Sequence, residues 1–319
     1  MVKKNIFKLI FPLLIILFSS CSNTTKDQED SVDFTKIDST FSGIDFANNI
    51  QESDSLNYFL FPYIYMGAGV SIGDFNNDGL SDVFFAANMS SNKLYLNQGE
   101  MKFLDISEKA GIAGDNRWYT GVSIVDINQD DYLDIYVSVS GTGNQNNNQL
   151  FINNGDLTFT EAANEYGIDD PSNSIQSTFF DYVNDGDLDL FVANYPNIPL
   201  SQGNQFYHQK MIENDLGNSG HLYRNNGNGN FEDVTEKAKL KRFGLTLGIV
   251  SSDINNDGYV DLYLSNDFNV PDYFFINNGD GTFREVVDEA TGHTSMFGMG
   301  IDTSDINNDG LKDLIQAEM

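Results

Sequence analysis

Asp74-Phe-Asn-Asn-Asp-Gly-Leu-Ser-Asp82 returns along the chain as Asp126-Ile-Asn-Gln-Asp-Asp-Tyr-Leu-Asp134, Asp181-Tyr-Val-Asn-Asp-Gly-Asp-Leu-Asp189, Asp253-Ile-Asn-Asn-Asp-Gly-Tyr-Val-Asp261 and Asp305-Ile-Asn-Asn-Asp-Gly-Leu-Lys-Asp313. The first Asp recurs at steps of 52, 55, 72 and 52 residues. A period of this length marks tandem structural units, none of which can bury its apolar face alone. The long step holds an insertion, about Tyr195 to Ser219, rich in Asn, Gln and Pro.

The flanks of the loops repeat as well. Before them stand Gly69-Val-Ser-Ile-Gly73, Gly121-Val-Ser-Ile-Val125 and Gly248-Ile-Val-Ser-Ser252; after them come Val83-Phe-Phe-Ala86, Ile135-Tyr-Val137, Leu190-Phe-Val-Ala193 and Leu262-Tyr-Leu264. Short β-branched and aromatic runs bounded by turn residues read as strands. A further strand pair follows each, as in Leu150-Phe-Ile-Asn153 turning through Asn154-Gly155 to Thr158-Phe159. Asn-Gly tolerates the positive φ of a tight hairpin. Units tend to close on a polar turn ending in Gly, such as Ser107-Glu-Lys-Ala-Gly111. The expected fold is therefore all-β: a β-propeller of four-stranded blades, with the Asp loops between first and second strands and no long amphipathic helix. Phe34-Thr-Lys-Ile37 with Gly43-Ile44 matches Phe103-Leu-Asp-Ile106 with Gly111-Ile112, so the N-terminus is expected to begin with the tail of a unit. Residues 34–319 then hold four full repeats and a partial fifth, which reads as an incomplete propeller of a longer protein; the alternative is a small propeller whose last blade the N-terminal tail completes.

The loop consensus is Asp-x-Asn-x-Asp-Gly-x-x-Asp. Calcium takes six to eight oxygens. Positions 1, 3, 5 and 9 offer side-chain oxygens: Asp74, Asn76, Asp78 and Asp82; Asp126, Asn128, Asp130 and Asp134; Asp253, Asn255, Asp257 and Asp261; Asp305, Asn307, Asp309 and Asp313. Position 7 offers a backbone carbonyl, at Leu80, Tyr132, Tyr259 and Leu311. The third loop keeps Asp181, Asp185 and Asp189 but has Val183 at position 3, where Asn184 or Asp187 is expected to supply the missing oxygen. The second has Asp131 where Gly is expected, which predicts a strained turn. Two carboxylates 4 Å apart repel by about 4 kcal/mol at an effective dielectric of 20, so such loops call for a cation. Three to five calcium sites are expected. An EF-hand is excluded, because position 12 lacks its Glu and falls in or just beyond a predicted strand. The alternative is that Asp, Asn and Gly build metal-free Asx turns.

The chain of 319 residues carries 47 acidic against 17 basic side chains and a formal charge of −30, which excludes a nucleic-acid footprint. Its single Cys excludes a disulfide framework and Cys-based zinc sites. Lys3, Lys4 and Lys8 precede an apolar run, Leu9 to Phe18, that is too short to span a bilayer, so residues 1–20 read as a secretory signal. Phe18-Ser-Ser-Cys21 resembles a bacterial lipobox, which implies lipidation at Cys21; the other reading is an ordinary signal with an incidental Cys. Residues 21–33 form a polar tether, whose Lys26-Asp-Gln-Glu-Asp30 resembles the acidic export tag of surface lipoproteins in Bacteroidota. The resemblance places the protein at the outer membrane, facing outward, held only by its lipid anchor.

The loops, with Gly-Val-Ser-Ile-Gly-Asp and Leu-Tyr-Leu-Asn-x-Gly, resemble FG-GAP/VCBS repeats, as in the N-terminal propeller of integrin α chains. Tyr65-Met-Gly-Ala-Gly-Val-Ser-Ile-Gly-Asp74 and His293-Thr-Ser-Met-Phe-Gly-Met-Gly300 look closer to bacterial lipoproteins of the ASPIC/UnbV, cartilage-acidic-protein-like group. The resemblance covers about residues 34 to 319. It implies calcium that braces blades and a ligand bound elsewhere.

Candidates for catalysis are thin. Gly69-Val-Ser71-Ile-Gly73 fits a nucleophile elbow, but the same strand repeats at Ser123 and the required strand-to-helix turn is missing. His208, His221 and His293 lack metal-ligand spacing, and Trp118 and Tyr119 read as inter-blade packing. The insertion is the best candidate for specificity. The expectation is a non-enzymatic binding or adhesion module for an extracellular protein or glycan; the alternative is a propeller-based polysaccharide lyase or hydrolase, or a subunit of one.

Overall fold

The computed structural model describes residues 34–115, 117–141, 146–196, 198, 202–213, 219–227, 229–268 and 270–319. The signal segment, the lipidation position Cys21 and the tether lie outside the described residues. Residues 34–37, at the end of the first of two structural units, are exposed and have no regular structure.

The second unit, Asp38–Met319, is a run of antiparallel sheets. The first blade is β1 (Val70–Gly73), β2 (Asp82–Phe85), β3 (Lys93–Asn97) and β4 (Phe103–Asp105). The second is β5 (Trp118–Val125), β6 (Asp134–Ser140), β7 (Gln149–Asn153) and β8 (Phe159–Glu161). The third is β9 (Ser174–Phe180), β10 (Asp189–Asn194), β11 (His221–Asn225) and β12 (Phe231–Asp233). The fourth is β13 (Thr246–Ser252), β14 (Asp261–Asn266), β15 (Tyr273–Asn277) and β16 (Phe283–Glu285), and a fifth begins with β17 (Gly298–Ser304) and β18 (Asp313–Glu318). Strands within each blade pair in chain order, and β1, β5, β9, β13 and β17 lie side by side. The architecture is an incomplete β-propeller, as the repeat predicts.

Apolar layers lie between blades, which is why the blades must stack. Phe84 and Leu94 of the first blade share one cluster with Ile135, Val137 and Phe151 of the second; Phe191 and Leu222 of the third share another with Leu262 and Phe275 of the fourth. Loop position 2 feeds these layers. Phe75 packs edge-on against Phe159 of the next blade at 6.2 Å, and Tyr182 stacks on Phe283 at 6.1 Å. Burying one such ring contributes about 2–3 kcal/mol.

The glycine that opens each Gly-Val-Ser motif has a packing cause. A Cβ on Gly69 would lie 2.7 Å from the Thr120 carbonyl, and one on Gly121 would lie 2.6 Å from that of Ile175. First strands approach each other too closely there for any side chain. The serines staple the same seam: Ser123 Oγ donates to the Ser177 carbonyl at 2.8 Å, and Ser71 Oγ to that of Val122 at 3.3 Å. Ser71 is thus a strand residue at an inter-blade seam.

The predicted tail is partly realised. A helical turn, α1 (Ser39–Ser42), is capped by the Asp38 carboxylate and ends at Gly43 with φ 79°. A Cβ on Gly43 would meet the Phe103 carbonyl of β4, as one on Gly167 would meet that of Phe231 in β12. The equivalent turns α2 (Ser107–Ala110) and α3 (Ala163–Tyr166) close the first and second blades. Phe34–Ile37 forms no strand. The insertion, expected as a loop, contains a ten-residue helix, α4 (Asn204–Glu213), that buries Tyr207 against the third and fourth blades. Its Phe206 and Met211 pack there too, and this apolar anchorage overrides the Asn/Gln-rich composition. A last single-turn helix, α5 (Val287–Ala290), closes the fourth blade.

The blade scaffold turns on the last Asp of each loop. The carboxylate of Asp134 is fully buried and accepts Ile127 N–H at 3.1 Å and Asn153 N–H at 2.8 Å. Deleting it orphans two buried donors at about 1–3 kcal/mol each. Asp134→Ala is expected to lower unfolding free energy by about 3 kcal/mol or more in chemical denaturation, while the exposed Asp288→Ala changes it by less than about 0.5. Equal losses in the two variants would refute this assignment.

Candidate metal-loop centre and neighbouring sites

Each loop is a closed set of backbone-to-carboxylate hydrogen bonds. In the first, Asp74 accepts Asp78 N–H at 3.1 Å on Oδ1 and Gly79 N–H at 2.7 Å on Oδ2. Asp78 Oδ1 accepts Leu80 N–H at 2.8 Å. Asn76 Oδ1 accepts Asp78 N–H, and its Nδ2 donates to Asp78 Oδ2 at 2.9 Å. Asp82, fully buried, accepts Phe75 N–H at 3.0 Å and Asn97 N–H at 2.8 Å. The fourth loop repeats this pattern with Asp253, Asn255, Asp257, Tyr259 and Asp261. The fifth repeats it with Asp305, Asn307, Asp309 and Leu311, and Asp313 accepts Ile306 N–H.

The second loop keeps the pattern despite Asp131. Asp131 sits at φ 69°, and its N–H still donates to Asp126 at 2.9 Å. Asp tolerates the left-handed region better than most residues, so the substitution leaves the turn in place. Asp126, Asn128, Asp130 and Tyr132 otherwise match the first loop. In the third loop Asp181 and Asp185 make the same backbone contacts, and Asp189 accepts Tyr182 and Asn225 N–H.

The donor set is all oxygen and strongly negative. Burial pushes Asp134 up to about 6 and Asp189 up to about 7; backbone N–H groups oppose the rise, and the carboxylates at positions 1 and 5 add to it. Asp82 and Asp261 rise for the same reasons. Among the described residues, Arg224 is the one basic side chain paired with a loop carboxylate, and it serves the third loop. The other loops thus hold three or four carboxylates without a cation of the chain, a donor set that fits a hard divalent ion. Among the described residues, no three His, Cys, Asp or Glu side chains gather around one point. Within each loop the Asp and Asn side chains accept the N–H groups that follow them, the geometry of Asx turns.

A contact not anticipated from the motif joins loop to loop. Position 4 is left-handed throughout, with φ between 56° and 60° at Asn77, Gln129, Asn184, Asn256 and Asn308. Asn77 Nδ2 donates to the Asp131 carbonyl of the next loop at 2.9 Å, and Asn184 Nδ2 to that of Gly258 at 2.9 Å. The preference for Asn at position 4 was a visible signal, because Asn supports both a positive φ and an amide donor.

This geometry frames the comparisons. The sequence pattern of the FG-GAP-like repeat matches residues 74–137, 139–192, 211–264 and 253–315. The chain belongs to the FG-GAP-like repeat family. Each match takes in at least one Asp loop and the strand after it. The FG-GAP-like chain is also similar to cartilage acidic protein 1 of Homo sapiens, 27% identical over 204 residues, and of Mus musculus, 28% identical over 204 residues. Those alignments cover 62% of this chain and 28% of the relatives, so the match spans little more than a quarter of their length. Among solved structures, an Agrocybe aegerita lectin, described with recognition of non-reducing terminal N-acetylglucosamine, matches at a TM-score of 0.46 and 18% identity, over 77% of this chain and 59% of that one.

Two sites lie away from the FG-GAP loops. A cleft of about 670 Å³ runs along the first strands, lined by Tyr58, Tyr63, Tyr65, Gln176, Asp267 and Phe268 among others. The Tyr63 hydroxyl lies between Tyr195 of the insertion and the Asp267 carboxylate. A second cavity of about 620 Å³ is lined by His221, Asp233, Thr235 and Lys237. There His221 Nδ1 meets the buried Asp170 carboxylate at 2.6 Å, and Tyr223 Oη donates to the same oxygen at 3.0 Å. His221 opens β11, and Asp170 lies 51 residues earlier, a pairing that spacing does not reveal. His208 lies on α4, and His293 is exposed.

Burial lowers the His221 pKa, but the Asp170 hydrogen bond and charge outweigh it, so the value rises above 6.5; burial raises Asp170, and His221 outweighs it, holding it below 3.8. A raised His pKa stabilises fully below its unfolded value and is lost as pH climbs through the folded one; a depressed Asp pKa stabilises above its unfolded value and is lost as pH falls through the folded one. The pair therefore stabilises most between about pH 4 and 6.5. The melting-temperature gap between wild type and His221→Gln is expected to be wider at pH 5.5 than at pH 8.5; a constant gap contradicts the pairing. For the loop-to-loop contacts, Asn184→Ala is expected to cost about 1–2 kcal/mol and Asn184→Gly less, because Gly accepts the positive φ; the opposite order in urea titrations argues against a backbone role.

Proposed function

We propose that the protein is a calcium-stabilised, non-catalytic binding module, anchored to the outer membrane through Cys21, that presents its axial cleft to an extracellular protein or glycan. The observation that carries this reading is the lining of the cleft. Tyrosine rings from the segment before β1 meet the first strands of successive blades, and Gln176 and Asp267 add polar groups. Exposed Tyr58 and Tyr65 offer flat apolar faces with a hydroxyl at the tip, a surface suited to sugar rings or peptide side chains. The acids, by contrast, are concentrated in loops whose carboxylates hold backbone N–H groups, which is a bracing role. Membership in a repeat family built on such loops supports calcium as the brace, and the basic, apolar, Cys-ended start of the chain supports the anchor.

In the loops the ion would be held by Asp74, Asn76, Asp78 and Asp82 and by their equivalents in the second, fourth and fifth loops. Its positive charge would offset the negative charge that each loop concentrates in nine residues. An ion bound at 100 times its Kd stabilises by about 2.7 kcal/mol per site. For a domain of this size each kcal/mol is worth about 2–4 °C. EDTA is therefore expected to lower the melting temperature by roughly 5 °C or more, with recovery on adding calcium but not magnesium. An unchanged melt removes the calcium brace. Glycan-array and peptide-array screening of the same preparation is expected to find ligands that Tyr65→Ala weakens about ten-fold at unchanged stability. Depolymerisation of a polysaccharide by that preparation would overturn the non-catalytic reading.

A further inference from the structure

The third loop differs from the other four at position 3, and the fold supplies a counterpart for the difference. Val183 stands where the others carry Asn76, Asn128, Asn255 and Asn307. On the third strand of each blade, the residue before the hairpin Asn is Leu96, Ile152 or Ile276, but in the third blade it is Arg224. The one loop that lacks the amide thus faces the one strand that carries a guanidinium at that place.

The two meet at a single atom. In the other loops, Oδ2 of the position-5 Asp accepts the Asn Nδ2 at 2.9 to 3.0 Å. In the third loop Oδ2 of Asp185 accepts Arg224 Nη2 at 3.1 Å. Val183 turns away from the loop and packs against the apolar layer between the third and fourth blades. The residues expected to replace its oxygen are engaged elsewhere. Asn184 donates to the Gly258 carbonyl, and Asp187 Oδ1 faces the Gln129 amide at 3.5 Å. The loop has therefore lost a neutral oxygen ligand and gained a permanent positive charge on a carboxylate that an ion would need. Arginine stays protonated at any pH a protein survives, so this charge cannot be withdrawn.

We propose that the third loop holds no metal: the Arg224 guanidinium takes the place of the ion, and the chain binds calcium at four loops instead of five. The inference rests on the calcium reading of the other four loops. Its consequence is a propeller in which one blade keeps its brace when calcium is withdrawn, while its neighbours lose theirs.

The test is the number of calcium ions per chain, measured by equilibrium dialysis and elemental analysis on the 319-residue chain in detergent. Wild type is expected to bind four. Val183→Asn combined with Arg224→Leu restores the composition of the other blades and is expected to bind five. Should that variant fail to fold, single substitutions decide: Asp185→Asn leaves the wild-type count unchanged, whereas Asp257→Asn lowers it by one. Five ions on wild type, or a count that falls by one in Asp185→Asn, overturns the proposal and leaves the calcium reading standing. No ion on wild type overturns both, because the guanidinium then replaces nothing.

Discussion

A buried carboxylate shared between two backbone segments holds each blade together. The last Asp of the loop accepts one N–H from the start of its own loop and one from the Asn that ends the third strand, as Asp261 does with Ile254 and Asn277. The two ends of the loop and the end of the third strand are thereby fixed to one rigid group. The burial that makes the contact strong also makes it costly, since desolvation pushes these acids well above their ordinary pKa. Two good N–H donors offset part of that cost. The charge of the loop and the cohesion of the blade are two aspects of one arrangement.

Cohesion between blades uses different means. Side chains at loop position 2, Phe75 and Tyr182 among them, reach into the next blade. Amides at position 4 reach the next loop, and serines of the first strands reach the next first strand. Asn153 Nδ2 adds a bond to the Phe75 carbonyl of the preceding loop, and Asn277 Nδ2 does the same to that of Tyr182. Every variable-looking position of the repeat that faces a neighbour is therefore constrained by it. This is the physical reason why the units can stack.

The strands and hairpins were legible because their signals are local. Short apolar runs, Asn-Gly turns and the closing glycines act within a few residues, and the runs quoted from the sequence fall on strands of the observed blades, although β5 begins three residues earlier than its motif. What the sequence could not show was tertiary. Nothing in Asn204–Glu213 announces that Tyr207 will be buried, so the helix in the insertion was read as a loop. The Asp170–His221 pair joins the connection between the second and third blades to the first residue of β11. The segment around Tyr58 to Tyr65 carries no repeat, yet it lines the axial cleft. The loop residues were legible as a set, but the motif gave no means of separating those that hold the backbone from those that offer an open oxygen.

The third loop makes that separation, because it is a natural deletion of one motif position. With Val183 in place, Asp181 still accepts the N–H groups of Asp185 and Gly186, Asp185 still accepts that of Asp187, and Asp189 still spans to Asn225. The turn at Asn184 keeps its left-handed φ of 56°. Positions 1, 5 and 9 keep these backbone contacts without the position-3 amide, while Arg224 takes over the amide's contact with the position-5 carboxylate. In the other four loops the asparagine both accepts the N–H of the position-5 Asp and donates to its Oδ2, as Asn76 does with Asp78. The acids of this motif answer first to the backbone, and a guanidinium from a neighbouring strand can stand in for the amide donor that the asparagine otherwise supplies.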